Sequence, residues 1–309
     1  MESRKTLAVV KAIFAVVFWG ASFVATKVAL RYTSPVTVVW LRFAMGAIIL
    51  GAVVAVRGQF SIPSRKDLGY FALLGFIGIT FHQWLQSTGL TTAQATTSAW
   101  IVATVPVFMA LLGWIVLKEG LNWIQVAGIL VSAAGVLLVV SNGDVRFLSS
   151  GHFGTTGDLL ILISAPNWAI FSALSRRGLQ QHPAARMMFY VMGFGWLFTS
   201  VQLFAGPGLS EIQPIALDGW LGIGFLGIFC SGVAYVFWYD ALQVMPVAQT
   251  GAFVYMEPFV TVVVAALILN EPFLLSSIFG GAAIILGVWL VNRHAGRRSK
   301  RVVEKQAAS

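Results

Sequence analysis

The hydropathy pattern constrains this chain more than any other feature of its sequence. Apolar runs of about 20 residues alternate with short polar or basic links along nearly the whole length. A helix of that length crosses the roughly 30 Å hydrocarbon core of a bilayer, where no water satisfies a non-helical backbone. We therefore expect an all-α integral membrane protein with ten transmembrane helices, at residues 12–30, 35–56, 68–88, 93–116, 123–140, 158–176, 187–205, 217–239, 249–269 and 275–292.

Composition excludes a soluble protein and disfavours nucleic acid as a partner. Only 10% of the 309 residues are charged, against about 25% in soluble domains. The formal net charge is +9, but six of the 20 Lys and Arg residues follow Val291. Such a cluster just past a spanning helix is typical of a cytoplasmic flank held against anionic lipid. The partner it indicates is the lipid bilayer.

The second half of the chain repeats the first. A proline, a glutamate and two glycines recur at one separation of 152 residues, pairing Pro106 with Pro258, Glu119 with Glu271, Gly128 with Gly280 and Gly135 with Gly287. Trp19 and Lys27 pair with Trp168 and Arg176 at a separation of 149 residues. Five helices per repeat is an odd number, so the two copies cross the membrane in opposite orientations. We predict two inverted five-helix repeats at 12–140 and 158–292, with segments 1–11, 141–157 and 293–309 outside them.

The distribution of Lys and Arg predicts the orientation. With the N-terminus inside, sixteen of these residues fall on the inner side and two, Arg31 and Arg146, in outer loops. Positively charged flanks stay in the cytoplasm. Both termini, including the basic tail 293–309, are therefore expected in the cytoplasm, and the linker 141–157 in the periplasm.

Several motifs of the two five-helix copies resemble those of a known family. They are Trp19-Gly20, Leu41-Arg42-Phe43, Pro106 followed by Glu119, and Glu257-Pro258 followed by Glu271. Together with the repeat they resemble the EamA-type branch of the drug/metabolite transporter superfamily, over about residues 8–292. The resemblance implies an inner-membrane carrier, often an exporter of amino acids or other small metabolites. It also implies a central cavity lined by helices one to four and six to nine, with helices five and ten at the periphery.

Glu257 and Arg42 are the charged candidates within spans. A carboxylate inside a span is costly unless it faces a cavity or a partner, so Glu257 is a candidate for proton coupling or contact with a substrate amine. Arg42 could pair with Glu257, hold a substrate carboxylate or reach the nearby interface. Pro106 and Pro258 are candidate gating hinges, because proline interrupts a helix.

Polar and aromatic residues in other spans complete the predicted substrate site. His82, Gln83 and Gln86 lie one helical turn apart and could line a cavity or join helices by hydrogen bonds. Aromatic side chains suit a ligand with an apolar or cationic body, although core packing is the alternative for each. The predicted substrate-binding set is Trp19, Arg42, His82, Gln83, Gln86, Trp100, Asn167, Trp168, Tyr235, Trp238 and Tyr239.

These features predict a secondary transporter that exports amino acids or related small, hydrophobic or aromatic metabolites by alternating access. The alternatives are a proton-coupled efflux carrier for drugs or toxic compounds, and a membrane scaffold or receptor without transport. An enzyme would need a nucleophile–base pair or a metal cluster within a span, and neither is evident, so we expect no catalysis, metal or cofactor. The repeated glycines fit either packing within the chain or a homodimer.

Overall fold

The computed structural model describes residues 2–118, 120–144, 154–206, 208–245, 250–251 and 253–307, and side chains for all of these except residues 2–3, 117 and 292–307. The described residues form ten apolar helices, eight of them long enough to cross a membrane and two shorter. They are α1 (Glu2–Ala29), α2 (Pro35–Val56), α3 (Arg65–Gly89), α4 (Ala95–Val102 and Val105–Leu117), α5 (Trp123–Val140), α6 (Thr156–Gln181), α7 (Ala184–Ala205), α8 (Leu217–Val244), α9 (Phe253–Leu269) and α10 (Leu275–Ala307).

Several helices extend beyond the apolar runs that predict them. α1 begins at Glu2 rather than at residue 12, and α10 continues to Ala307 rather than ending at 292. The added residues are rich in Lys, Arg, Glu and Ala, which are strong helix formers. Hydropathy identifies the part of a helix that lies in lipid, whereas helix propensity allows the helix to continue beyond the membrane. Since successive spans alternate in direction, α1 starts and α10 finishes at one end of the bundle, here named the termini end. The opposite end is the far end.

α4 and α9 are broken at equivalent places. The first segment of α4 stops at Val102, and its second begins at Val105 with Pro106 in its first turn. In α9 a short 3₁₀ segment, Phe253–Met256, precedes the segment that begins at Glu257 with Pro258. Proline fits the first turn of a helix, where its missing N–H costs nothing. Both predicted hinge prolines therefore lie at real breaks in the backbone.

α3 and α8 each contain a π-helical stretch near their middle. In α3 it covers Phe76–Phe81 and in α8 it covers Phe225–Val233. Position 79 in the first stretch corresponds to position 231 in the second at the repeat separation. π-Helical turns are rare and occur often at functional sites. Each one here ends directly before the residues predicted to bind substrate.

α5 and α10 cross each other on the glycines of the repeat. A Cβ on Gly135 would lie 2.6 Å from the backbone oxygen of Gly280, and one on Gly128 would lie 2.6 Å from that of Gly287. Between these points the Ser132 hydroxyl donates to the Ile284 carbonyl at 3.2 Å. The glycines therefore join the two repeats within one chain, which is the first of the two roles expected for them.

Candidate functional site

Arg42 lies at the centre of a polar cluster between the repeats. It is 5% exposed, which rules out the expected alternative that its side chain reaches the membrane surface. Its Nε donates to the Ser231 hydroxyl of α8 at 3.1 Å, and an amino group donates to the Gln83 amide oxygen of α3 at 3.2 Å. Neither Glu257 nor any other carboxylate of the described residues pairs with it. A buried cation is costly without a counter-charge, so this guanidinium can take up an anion.

Three residues of α3 form one wall of the site, the polar wall: His82, Gln83 and Gln86. His82 and Gln83 are buried, and Gln86 is partly buried. The His82 ring lies 4.7 Å from the Trp168 ring of α6. Within the described part of the chain, Nδ1 of His82 has no hydrogen-bond partner. A buried polar atom left without a partner is unfavourable, and a ligand group could supply one.

Four aromatic residues of α1 and α8 form a second group, named the aromatic wall: Trp19, Tyr235, Trp238 and Tyr239. The Trp19 ring lies 5.7 Å from that of Tyr235 and 5.2 Å from that of Trp238. Tyr235 and Tyr239 are 6.3 Å apart. Trp19, Tyr235 and Tyr239 share one hydrophobic cluster with Trp168. The structure thus brings most of the predicted aromatic residues together, around the helix that also holds the Arg42 partner Ser231.

The π-helical stretches are fixed by side chains from the other repeat. Asn167 of α6 donates from its amide to the Ile77 carbonyl in α3 at 2.9 Å. Trp19 of α1 donates from its indole nitrogen to the Cys230 carbonyl in α8 at 3.1 Å. A π-turn leaves carbonyls outside the regular helical pattern, and these donors satisfy them. Asn167 was predicted to bind substrate, but in this structure its side chain hydrogen-bonds to the backbone of α3.

Glu257 is the first residue of the second α9 segment and is 9% exposed. No donor of the described residues hydrogen-bonds its carboxyl group. Its backbone oxygen accepts from the Thr261 hydroxyl at 2.9 Å and lies close against Gly20 of α1. The break in α9 therefore places this carboxyl at a helix N-terminus inside the bundle, where the helix dipole favours negative charge.

Trp100 lies apart from the two walls. Its ring packs over Gly281 of α10 and lies 5.4 Å from the ring of Phe259 in α9. It belongs to a hydrophobic cluster with Val107 and Ile284 that does not include Trp19. This position fits the core-packing alternative better than a direct role in binding.

Two further charged groups have structural partners at the far end. Lys27 donates to the Ala93 carbonyl. The Glu271 carboxylate accepts from the backbone nitrogens of Ala95 at 2.8 Å and Thr96 at 3.0 Å, and so caps the start of α4. Glu119, the repeat mate of Glu271, lies outside the described residues.

The sequence of this chain matches that of a known protein family. The profile of the EamA-like transporter family matches residues 6–141 and again residues 155–293, which correspond to the two repeats. The chain belongs to the EamA-like transporter family. Members of this family are transporters rather than enzymes, and the described residues contain no group of three His, Cys, Asp or Glu side chains arranged to hold a metal ion.

Relatives of this EamA-family chain cover nearly its full length. A protein of Archaeoglobus fulgidus named an uncharacterized transporter is 29% identical over 88% of the chain and 92% of its own length. A Streptantibioticus cattleyicolor protein named a probable terminal-alkyne amino-acid exporter is 28% identical over 93% of the chain and 94% of its own length. A crystal structure 19% identical in sequence superposes with a TM-score of 0.66, covering 94% of this chain and 98% of its own, and shows the same fold.

Sequence reasoning missed two features of this EamA-family transporter. Ser231, the α8 partner of Arg42, lies in the small-residue run Cys230-Ser231-Gly232, and a Cβ on Gly46 of α2 would lie 2.7 Å from its Cβ. Small residues at mid-span indicate close helix approach, so this run was a usable signal. The second feature is Asp240, which lies at the end of α8, is 15% exposed and joins two cations.

Proposed function

We propose that this EamA-family transporter exports amino acids or related metabolites that carry a carboxylate on a hydrophobic or aromatic body. The observation that carries the proposal is the buried Arg42 guanidinium, which has no carboxylate partner among the described residues. A planar guanidinium binds a carboxylate through two parallel hydrogen bonds. The polar wall surrounds that end of the ligand, and the aromatic wall surrounds its side chain.

Transport proceeds by alternating access around this site. The two inverted repeats meet between the walls, and rocking of one repeat against the other would open the site to either side in turn. Pro106 and Pro258 mark the breaks about which α4 and α9 bend. The excess of Lys and Arg at the termini end supports an orientation with both termini in the cytoplasm.

Glu257 is proposed to couple transport to protons. Its buried carboxyl has no basic partner among the described residues, so it can exchange a proton with whichever side is open, or bind the amine of an amino acid. The S. cattleyicolor relative, whose name describes an amino-acid exporter, supports an amino-acid substrate. A drug-efflux carrier is the competing proposal, and it would favour cations or neutral aromatic compounds over carboxylates.

The test compares phenylalanine with phenylalaninamide in proteoliposomes. Wild type should transport phenylalanine, and Arg42→Gln should reduce its kcat/KM by about 10- to 150-fold, because a charged hydrogen-bond pair contributes about 1.5–3 kcal/mol. Arg42→Lys should retain part of the rate. Arg31→Gln, in the loop after α1, is the matched control and should leave transport unchanged. Preference for the amide in wild type would contradict the proposal and favour drug efflux.

Proton coupling has its own test in the same vesicles. An imposed pH gradient should accelerate phenylalanine movement in wild type by several-fold and leave Glu257→Gln unaffected. If the variant responds to the gradient as wild type does, Glu257 has a structural role and the coupling group lies elsewhere.

A further inference from the structure

Three charged side chains meet at the termini end. Asp240 of α8 accepts from Lys11 of α1 at 2.7 Å and from both amino groups of Arg57 at 2.9 and 3.0 Å. The Arg57 contact is a two-pronged pair, which is the stronger geometry for such an interaction. The side chains are 25%, 33% and 15% exposed for Lys11, Arg57 and Asp240, so water screens the cluster only in part.

The cluster joins the two repeats and leaves one positive charge in excess. Lys11 lies on α1 and Arg57 directly follows α2, in the first half of the chain, whereas the carboxylate they share lies on α8 in the second half. Asp240 corresponds to Thr88 at the far end at the separation of 152 residues, and Lys11 corresponds to Leu160 at the separation of 149 residues that relates α1 to α6. The far end therefore has no equivalent ion pair at these positions, and this contact is a property of the termini end.

A narrow, closed crevice lies between Arg57 of the cluster and two residues of the aromatic wall. Arg57 lines it together with Leu50 of α2 and with Tyr235 and Tyr239 of α8. Leu50 is 1% exposed, so the crevice is closed at this depth. If the crevice opened at the termini end, a solute entering along this line would meet Arg57 before the aromatic wall.

We propose that Lys11 and Arg57 form a second anion-binding site at the mouth of the transport path, distinct from Arg42. Asp240 occupies this site as an internal ligand when the termini end is closed. When the repeats separate, Asp240 leaves with α8, and the carboxylate of an incoming solute replaces it. The proposal rests on the proposed function for its solute class, monocarboxylates with an apolar body.

The experiment measures the reaction of a buried reporter with a membrane-impermeant maleimide. Leu50→Cys is introduced into a Cys230→Ser background, and the protein is reconstituted in nanodiscs so that both ends are accessible. Asp240→Asn should raise the labelling rate about five-fold, which is the factor expected when the closed state loses the stabilisation of about one partly screened ion pair. Asp218→Asn, which changes the other end of the same helix, is the matched control and should leave the rate unchanged. Asp240→Glu keeps the charge and should label slowly.

A second measurement tests anion binding in the Asp240→Asn protein. Phenylacetate should slow labelling of the reporter, whereas its neutral analogue phenylacetamide should not, and adding Arg57→Gln should abolish the protection. An unchanged labelling rate in Asp240→Asn would overturn the closing role of Asp240. Equal protection by the acid and the amide would overturn the anion site.

This readout is separate from the test of the proposed function, because labelling needs no transport. If Arg42→Gln transports phenylalanine normally while phenylacetate still protects the reporter, the site at the mouth stands and the central carboxylate site does not. If phenylacetate fails to protect while Arg42→Gln loses transport, the reverse holds.

Discussion

The α3 residues of the polar wall and the α8 residues of the aromatic wall come from equivalent helices of the two repeats and carry different chemistry. At the separation of 152 residues, His82, Gln83 and Gln86 of α3 correspond to Ala234, Tyr235 and Trp238 of α8. Both sets begin where a π-helical stretch ends. The backbone of the site is thus two-fold symmetric, whereas its side chains are polar on one side and aromatic on the other. Such a site suits a ligand with one polar end and one apolar end.

This difference separates two kinds of feature that should respond differently to mutation. Symmetric features, such as the helix breaks, the π-stretches and the glycine crossing, support the conformational change proposed for transport. Asymmetric features, such as Arg42, Glu257 and Asp240, are the ones proposed to determine which solute is bound and how the ends close. Paired substitutions at symmetric positions should have equal effects, and paired substitutions at the walls should not.

The largest effect is expected at the glycine crossing of α5 and α10. Gly128→Val and Gly280→Val, which are equivalent positions in the two repeats, should each destabilise the protein by about 3 kcal/mol, because a side chain at either position meets the backbone of the other helix at 2.6 to 2.8 Å. Thermal unfolding in detergent measures this loss. Gly193→Ala, inside α7 and with no atom within 4 Å of an added Cβ, is the control and should be neutral or stabilising. A large difference between the two valine variants would contradict a two-fold crossing.

A smaller and unequal effect is expected at the two walls. Gln83→Leu removes an acceptor from Arg42, and KM for phenylalanine should rise about ten-fold while transport of phenylalaninamide changes little. Tyr235→Leu, the equivalent change on the aromatic wall, should weaken both solutes alike, because it removes contact with their shared ring. Initial rates in proteoliposomes over a range of solute concentrations measure both constants. If both variants changed KM for phenylalanine and phenylalaninamide in the same way, the two walls would not contact different ends of the ligand.

The helices and the repeat could be predicted because lipid leaves the backbone few choices. A run of about 20 apolar residues must form a helix there. Two prolines at equivalent positions of the repeats indicate a helix break at the same place in each. Pro106 and Pro258 were therefore placed at breaks from the sequence alone. The π-stretches of α3 and α8 could not be, because they depend on donors such as Asn167 and Trp19 from distant helices.

The partners of charged residues were the least predictable part of the site. Arg42 was a candidate from the sequence alone, but its partner Ser231 is 189 residues away and lies in an apolar span. Asp240 lies at the end of an apolar span, and only the packing of α8 beside α1 and α2 brings Lys11 and Arg57 to it. Hydropathy reports the cost of inserting a charge, whereas the identity of its neighbour depends on which helices touch.

The smallest effect is expected from acid at the far end, where Glu211 closes the start of α2. Its carboxylate accepts from the Thr33 hydroxyl at 3.1 Å, the Ser34 nitrogen at 3.0 Å and the Thr37 hydroxyl at 2.8 Å. Burial alone would raise the pKa of this carboxyl, but the hydrogen bonds from Ser34, Thr37 and Thr33 outweigh it and hold the pKa below the ordinary glutamate value.

A lowered pKa in the folded protein fixes the sign of the pH dependence. The contact is fully present above the pKa of an unfolded glutamate, about 4.3, and is lost as pH falls through the lower folded value. Wild type should therefore melt a few degrees above Glu211→Gln at pH 7, and the two melting curves should converge as pH falls below 4. Thr37→Val removes one of three donors and should show part of the difference. If the difference in melting temperature between wild type and Glu211→Gln is constant from pH 7 to 3, ionised Glu211 does not stabilise the far end. The contrast between the charged termini end and the far end would then rest on the Asp240 cluster alone.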